Sequence, residues 1–292
     1  MTSALVTGAS GFVGGHLVRE LRRAGWRVLT ASRHQAADLC GDLLTIPFRG
    51  KSADVVFHLA GFSNPQASVD HAAAAFDANA ATTGRIVREF RAGRFIIASS
   101  CQVYGPRPEQ STESTPLLPR TPYAASKLCG EALALASGRD VVILRPYNHT
   151  GPGQSADFLC PGIARQIARA EAGRAPAEVR VRSLAPRLDF FDVRDMARAY
   201  RLASERGQRG AVYNVATGAP VSIGDLVRRL VGLSRIRLRI RGRQGAPDLS
   251  SGNSARFRAD TGWRPEIPLD RTLADLVDYE RAALAPKAAA RA

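Results

Sequence analysis

The chain alternates short apolar runs with longer stretches in which apolar residues recur every three or four positions. Runs at 4–7, 27–31, 54–59, 94–98 and 141–145 read as strands, and the stretches at 12–24, 67–91 and 122–137 read as helices. In the first of these helices Phe12, Val13, Leu17, Val18 and Leu21 share one face. Strands separated by helices predict an α/β fold, a parallel sheet covered on both faces. Past Pro152 the alternation loosens. Helices are predicted near 156–172, 193–205, 222–232 and 270–284, and short strands near 179–182, 188–191 and 211–215. Residues 235–241 alternate arginine with isoleucine and leucine, which reads as a strand with one solvated arginine face. The expected organisation is a sheet domain over 1–152 and a smaller α/β lobe over 153–292, with some segments of the second half returning to the sheet. A ligand is then expected between them, at the carboxyl ends of the strands.

The junction of the first strand and first helix carries Thr7-Gly8-Ala9-Ser10-Gly11-Phe12-Val13-Gly14. Glycines there let the backbone approach a pyrophosphate, and the helix offers it free N–H groups and a positive dipole end. Gly8, Gly11, Phe12, Val13 and Gly14 are therefore candidate dinucleotide contacts, and the chain is expected to bind one. A second constellation is Thr121-Pro122-Tyr123-Ala124-Ala125-Ser126-Lys127. Thr121 can cap a helix that Pro122 starts, and the four-residue spacing puts Tyr123 and Lys127 on one face. An ammonium beside a phenol is expected to lower its pKa and make it a working acid/base. Upstream, the strand Phe95-Ile96-Ile97-Ala98 runs into Ser99-Ser100, hydroxyls at the edge where a ligand would lie.

Composition narrows the picture. The formal net charge is +15, yet only Lys51, Lys127 and Lys287 are lysines; the excess is arginine spread along the whole chain. Such a distribution argues against a nucleic-acid groove and suits an anionic small substrate. Cys40, Cys101, Cys129 and Cys160 form no CxxC pair, so neither a metal site nor a disulfide framework is predicted. No run approaches the ~20 apolar residues of a membrane helix, and the start lacks the basic segment of a signal peptide. A cytoplasmic protein is expected.

Together these motifs resemble those of the extended short-chain dehydrogenase/reductases acting on nucleotide sugars. The glycine turn, His58-Leu59-Ala60-Gly61, Ser99-Ser100-Cys101-Gln102-Val103-Tyr104-Gly105, the Tyr-x-x-x-Lys pair and Thr261-Gly262-Trp263-Arg264-Pro265 occur in that family's order. The runs 145–154 and 187–195 look most like its GDP-mannose 4,6-dehydratase and GDP-4-keto-6-deoxy-mannose reductase branch. The resemblance implies a Rossmann domain, a catalytic Ser100, Tyr123 and Lys127, and cofactor contacts that include Leu59 and Ala60 besides the glycine turn. It also implies substrate contacts from Asn148, Arg187 and Arg243, a structural Asn79, and a homodimer built on helices around 67–91 and 122–137.

Departures from the family pattern sharpen the expectation. Dehydratases carry an acid two residues after the catalytic hydroxyl to remove a proton; here it is Gln102, an amide, so dehydration is disfavoured. Relatives often carry a ribose-binding glutamate three residues after Arg243; here it is Ala246. After the second strand stand Ser32 and Arg33 with no acid, which favours NADP(H) over NAD(H), and Asp42 is a candidate adenine contact. The leading expectation is an NADPH-dependent reductase of a nucleotide-linked 4-keto-6-deoxy sugar. The alternatives are a nucleotide-sugar 4-epimerase with tightly held NAD and, less favoured, a 4,6-dehydratase or a non-catalytic cofactor-binding scaffold.

Overall fold

The structure is a computed structural model, and it describes residues 1–34, 36–245 and 248–285. In chain order it contains β1 (Ser3–Thr7), α1 (Phe12–Arg23), β2 (Arg27–Ser32), β3 (Leu39–Cys40), β4 (Ser52–His58), α2 (Ala72–Phe76), a π turn (Asp77–Ala81) and α3 (Thr82–Glu89). There follow β5 (Arg91–Ala98), a 3-10 turn (Cys101–Tyr104), α4 (Pro122–Leu135), β6 (Val141–Pro146), β7 (Asn148–Thr150), α5 (Leu159–Glu171), β8 (Glu178–Ser183), β9 (Arg187–Leu188) and β10 (Phe190–Asp192). The last part holds α6 (Val193–Arg206), β11 (Val212–Val215), β12 (Val221–Ser222), α7 (Ile223–Gly232), β13 (Arg239–Arg243), β14 (Leu249–Ser250), α8 (Ala255–Thr261) and α9 (Leu269–Leu284).

Seven strands form one parallel sheet in the order β3-β2-β1-β4-β5-β6-β11, a Rossmann-type doubly wound fold. The order reverses between β1 and β4, and a crevice opens there at the strand ends. Central strands bury both faces, so β1 is buried throughout and reads as a continuous apolar run. One face packs on α1, α6 and α8 through Leu17, Leu21, Met196, Tyr200 and Phe257. The other carries Ile86, Val87, Phe90 and Ala134 from α3 and α4 with their neighbours. A third core joins α5, α7 and α9 around Ile163, Leu226 and Leu276, the lobe beside the crevice. Trp263 is fully buried in the first core, and its indole N–H donates to the Asp195 carbonyl at 3.0 Å, tying the Thr-Gly-Trp-Arg-Pro run to α6.

Three local expectations are corrected. The helix expected over 67–91 begins at Ala72, because Ser68 is taken into a turn: its hydroxyl donates to the Pro65 carbonyl at 2.6 Å and accepts from the Tyr123 N–H at 3.1 Å. The same helix is interrupted by the π turn Asp77–Ala81, where it meets α4 so closely that a Cβ on Gly130 would lie 2.8 Å from the Asn79 carbonyl. The arginine-alternating strand is limited to Arg239–Arg243, the stretch that pairs with β8; residues 235–238 are irregular.

Candidate active site

Backbone geometry builds one end of the crevice. Gly8 turns out of β1 at φ +67°, and a Cβ there would sit 2.8 Å from the Ala60 nitrogen. Gly14 has less room still, because its Cβ would lie 2.0 Å from the Gly8 carbonyl. No side chain caps α1 at Gly11, and no acid stands in its first turn, so its N–H groups and positive dipole end face the cavity unopposed. Thr7 and His58 hold this edge together. The Thr7 hydroxyl accepts from the Ala60 N–H at 3.1 Å and is hydrogen-bonded to His58 Nδ1 at 2.8 Å, linking β1 to β4. Burial, with the Lys127 charge nearby, pulls His58 down to about 3, so it is a neutral strut.

Ser100, Tyr123 and Lys127 stand across the same cavity, which encloses about 810 Å³. Thr121 caps α4 by accepting from the Ala124 N–H at 3.1 Å, Pro122 begins it, and Tyr123 and Lys127 follow on one face as the spacing predicts. Ser100 lies two residues past the end of β5 and caps the 3-10 turn, accepting from the Gln102 N–H at 3.2 Å. Lys127 Nζ donates to the Ala98 carbonyl at 2.9 Å, which pins α4 to the end of β5. Burial pushes the Tyr123 phenol up to about 12, partly offset by its hydrogen bond with Ser100. The expected lowering by Lys127 does not appear: burial raises the phenol, and the lysine is turned to the Ala98 carbonyl. Tyr123 is protonated at neutral pH, the form a proton donor requires.

Of the residues singled out from sequence, Gly8, Gly11, Phe12, Val13, Gly14, Ser32, Arg33, Asp42, Leu59, Ala60, Ser100, Tyr123, Lys127 and Asn148 all line this one cavity. Asp42 lines it with its carboxylate engaged, because Oδ1 accepts from the Leu44 N–H at 2.8 Å. Asp38, the nearest acid after β2, is turned back onto Thr30, accepting from its N–H at 2.8 Å and its hydroxyl at 2.7 Å. Arg187 and Arg243 do not line the cavity. Arg187 is exposed on β9 and donates to the Pro220 carbonyl at 3.3 Å, while Arg243 ends β13 in a separate open hollow with Arg180, Arg182 and Arg241. Asn79 stands behind the site: its carboxamide accepts from the Phe62 N–H at 2.9 Å and donates to Ser126 Oγ at 2.9 Å, a structural part. Ala246 lies outside the described residues.

Sequence reasoning missed the cavity wall opposite the glycine turn, which includes His149, Gln154, Phe158 and Phe190. His149 of β7 stacks on Phe12 with ring centroids 6.1 Å apart and planes 8° from parallel, so α1 and the lobe meet at the cavity mouth. The run 145–154 contains His149 and Gln154, but nothing in its spacing marks them as wall residues.

A family model described as the NAD dependent epimerase/dehydratase family matches residues 4–216, most of the chain. The chain belongs to this family. Within it, the chain is 35% identical to the GDP-6-deoxy-D-mannose reductase of Pseudomonas aeruginosa, over 96% of this chain and 98% of that protein. It is 28% identical to a dTDP-glucose 4,6-dehydratase of Streptomyces niveus, over 95% and 92%. Among solved structures, RMD from Pseudomonas aeruginosa complexed with NADPH superimposes with a TM-score of 0.88 at 31% identity, over 97% of this chain and all of that one. MoeE5 in complex with UDP-glucose and NAD gives 0.86 at 28% identity, over 97% of this chain and all of that one.

Proposed function

We propose that this chain is an NADPH-dependent reductase of the 4-keto group of a nucleotide-linked 4-keto-6-deoxy sugar. The observation that carries the reading is the shared cavity: Ser100, a protonated Tyr123 and Lys127 face the glycine cradle across it, and an amide, Gln102, occupies the place of a dehydratase acid. The likeness to a GDP-6-deoxy-D-mannose reductase supports it. Bound NADPH would supply the hydride. Tyr123 donates its phenolic proton to the carbonyl oxygen, Ser100 holds that oxygen by a hydrogen bond, and Lys127 fixes the tyrosine's surroundings and meets the nicotinamide ribose. Gly8, Gly11 and Gly14 with the α1 N-terminus hold the pyrophosphate, and Leu59 and Ala60 border the nicotinamide half. Arg33, in the cavity wall just after β2 where an NAD-binding acid would stand, holds the 2′-phosphate. Asn148 lies toward the nucleotide end of the substrate.

Absorbance at 340 nm with NADPH, then NADH, and freshly made GDP-4-keto-6-deoxy-mannose tests the reading. Oxidation that prefers NADPH is expected. No oxidation with any 4-keto-sugar nucleotide, in folded protein that binds cofactor, would overturn it, and NAD copurifying with the chain would then favour the 4-epimerase.

Two further features complete the proposal. Val69, Phe76, Leu133 and Leu135 are exposed large apolar side chains around α2 and α4, the surface on which a homodimer is expected. Among the described residues no helix is long and apolar enough to cross a membrane, and the four cysteines are unpaired, which suits a cytoplasmic enzyme.

A further inference from the structure

Behind the reacting groups lies a buried polar cluster that the reaction as described does not use. Glu131, 2% exposed, stands one turn beyond Lys127 in α4 and does not line the cavity. Its Oε1 accepts from the Ser99 hydroxyl and from Arg145 Nε at 2.9 Å, and its Oε2 accepts from Arg145 Nη2 at 2.6 Å. Arg145, also buried, donates through Nη1 to the Tyr104 hydroxyl at 3.0 Å, which donates to Asn214 Oδ1 at 2.8 Å. One carboxylate thereby joins the helix of Tyr123 and Lys127, the strand end of Ser100, the strand β6 and, through tyrosine, the strand β11.

A buried ion pair is a poor source of net stability, because desolvating both charges offsets most of their attraction. Well-packed apolar residues would hold these elements together as firmly. A carboxylate does what they cannot: it takes directional bonds from Ser99, the neighbour of Ser100, while standing one helical turn from Lys127. We infer that Glu131 is a positioning residue, which sets the turn carrying Ser100 against the helix face carrying Tyr123 and Lys127, with Arg145 as its counter-charge.

Electrostatics point the same way. Burial pulls Lys127 down to about 8, and the Glu131 carboxylate opposes that pull. His58 of β4, which feels the Lys127 charge, is pulled down by burial to about 3, and the Tyr123 phenol of α4 and the Cys101 thiol of the 3-10 turn are each pushed up to about 12, so all three are neutral at pH 7. The charged side chains Arg33, Asp42 and Asp77 line the same cavity, with Tyr147 and Tyr200, which burial raises, and His149, which burial lowers. Among these carboxylates and that of Glu131, it is Glu131, one turn away on the same helix, that acts on Lys127.

The inference rests on the reductase reading for its kinetic arm only. With Lys51, Lys127 and Lys287 as the whole lysine complement, lysine labelled with carbon-13 at Cε gives three signals to titrate by NMR in protein without substrate. The Lys127 signal is expected to titrate near pH 8 in the native chain and at lower pH in Glu131→Gln, with Lys51 and Lys287 unmoved. In turnover, kcat of that variant is expected to fall about tenfold or more with KM within about twofold, and the basic limb of its pH profile to move down. Ser99→Ala leaves the Glu131–Arg145 pair intact; kcat should fall without a shift of the Lys127 signal, which keeps the inference testable where the first variant does not fold. Variants that lower only the melting temperature, with the Lys127 titration and kcat unmoved, would overturn it. A native chain that reduces no keto-sugar would defeat the reductase reading and leave the NMR arm to decide this one.

Discussion

The two ends of the cavity are built by different means. At the glycine turn the cavity is lined by main chain, and the side chains that matter are those that are missing: a Cβ on Gly14 would lie 2.0 Å from a carbonyl oxygen. At the opposite end the wall is made of side chains from β7, the start of α5, β9 and β10, spread from Asn148 to Phe190 in the sequence. Main-chain recognition needs a particular residue at each place. Side-chain recognition tolerates many solutions as long as the wall is closed, so the second end is freer to differ among relatives that act on different sugars.

The comparison breaks first at the chemistry between the two ends. Tyr123→Phe should lower kcat by roughly 10²- to 10⁴-fold, while NADPH binding, followed by its fluorescence, stays near the native value. Loss of binding along with turnover would mean that the phenol belongs to the cofactor end. Next comes Gly14→Ala, which sets a methyl against the Gly8 carbonyl: NADPH affinity should fall by about tenfold or more, with a lower melting temperature, whereas the substrate wall is untouched. Unchanged affinity in that variant would show that the cradle is not where the pyrophosphate sits. Arg33→Ala should weaken NADPH binding about 10- to 100-fold and leave NADH nearly unaffected, the scale of a charge-assisted hydrogen bond; equal losses for both nucleotides would remove the 2′-phosphate assignment. At the side-chain end effects should be smaller. Asn148→Ala, which also gives up a 3.2 Å bond to the Asp189 carbonyl, should raise KM by only a few-fold with kcat nearly constant.

A last prediction concerns the lobe behind that wall. Two-pronged contact with Arg281, at 2.7 and 2.8 Å, holds Glu171 well below its ordinary 4.5, at about 2. A depressed carboxyl adds stability above its unfolded pKa and loses it as pH falls through the folded one. Glu171→Gln should therefore be less stable than the native chain at pH 6, and the gap in urea midpoint should close between about pH 4.5 and 2. A gap that does not change with pH would deny the pair its role in joining α5 to α9.

What could be read from the chain was whatever a short segment must satisfy by itself. The turn after β1 needs glycine because of backbone contacts within a few residues and with one neighbouring strand; Thr121 and Pro122 start a helix through their own hydroxyl and ring; a four-residue spacing places Tyr123 and Lys127 on one face wherever the helix goes. The parallel sheet follows in the same way from apolar runs that must be buried on both sides. Tertiary structure alone decided the rest. It turned Arg187 and Arg243 away from the cavity and brought His149 over Phe12. It also set the Tyr123 phenol by burial in place of the nearby ammonium, and joined Glu131 to Ser99 and Arg145 across three elements. Each of these depends on distances between segments far apart in the chain, and the free energy of a charge or a hydrogen bond depends on how much water those distances leave.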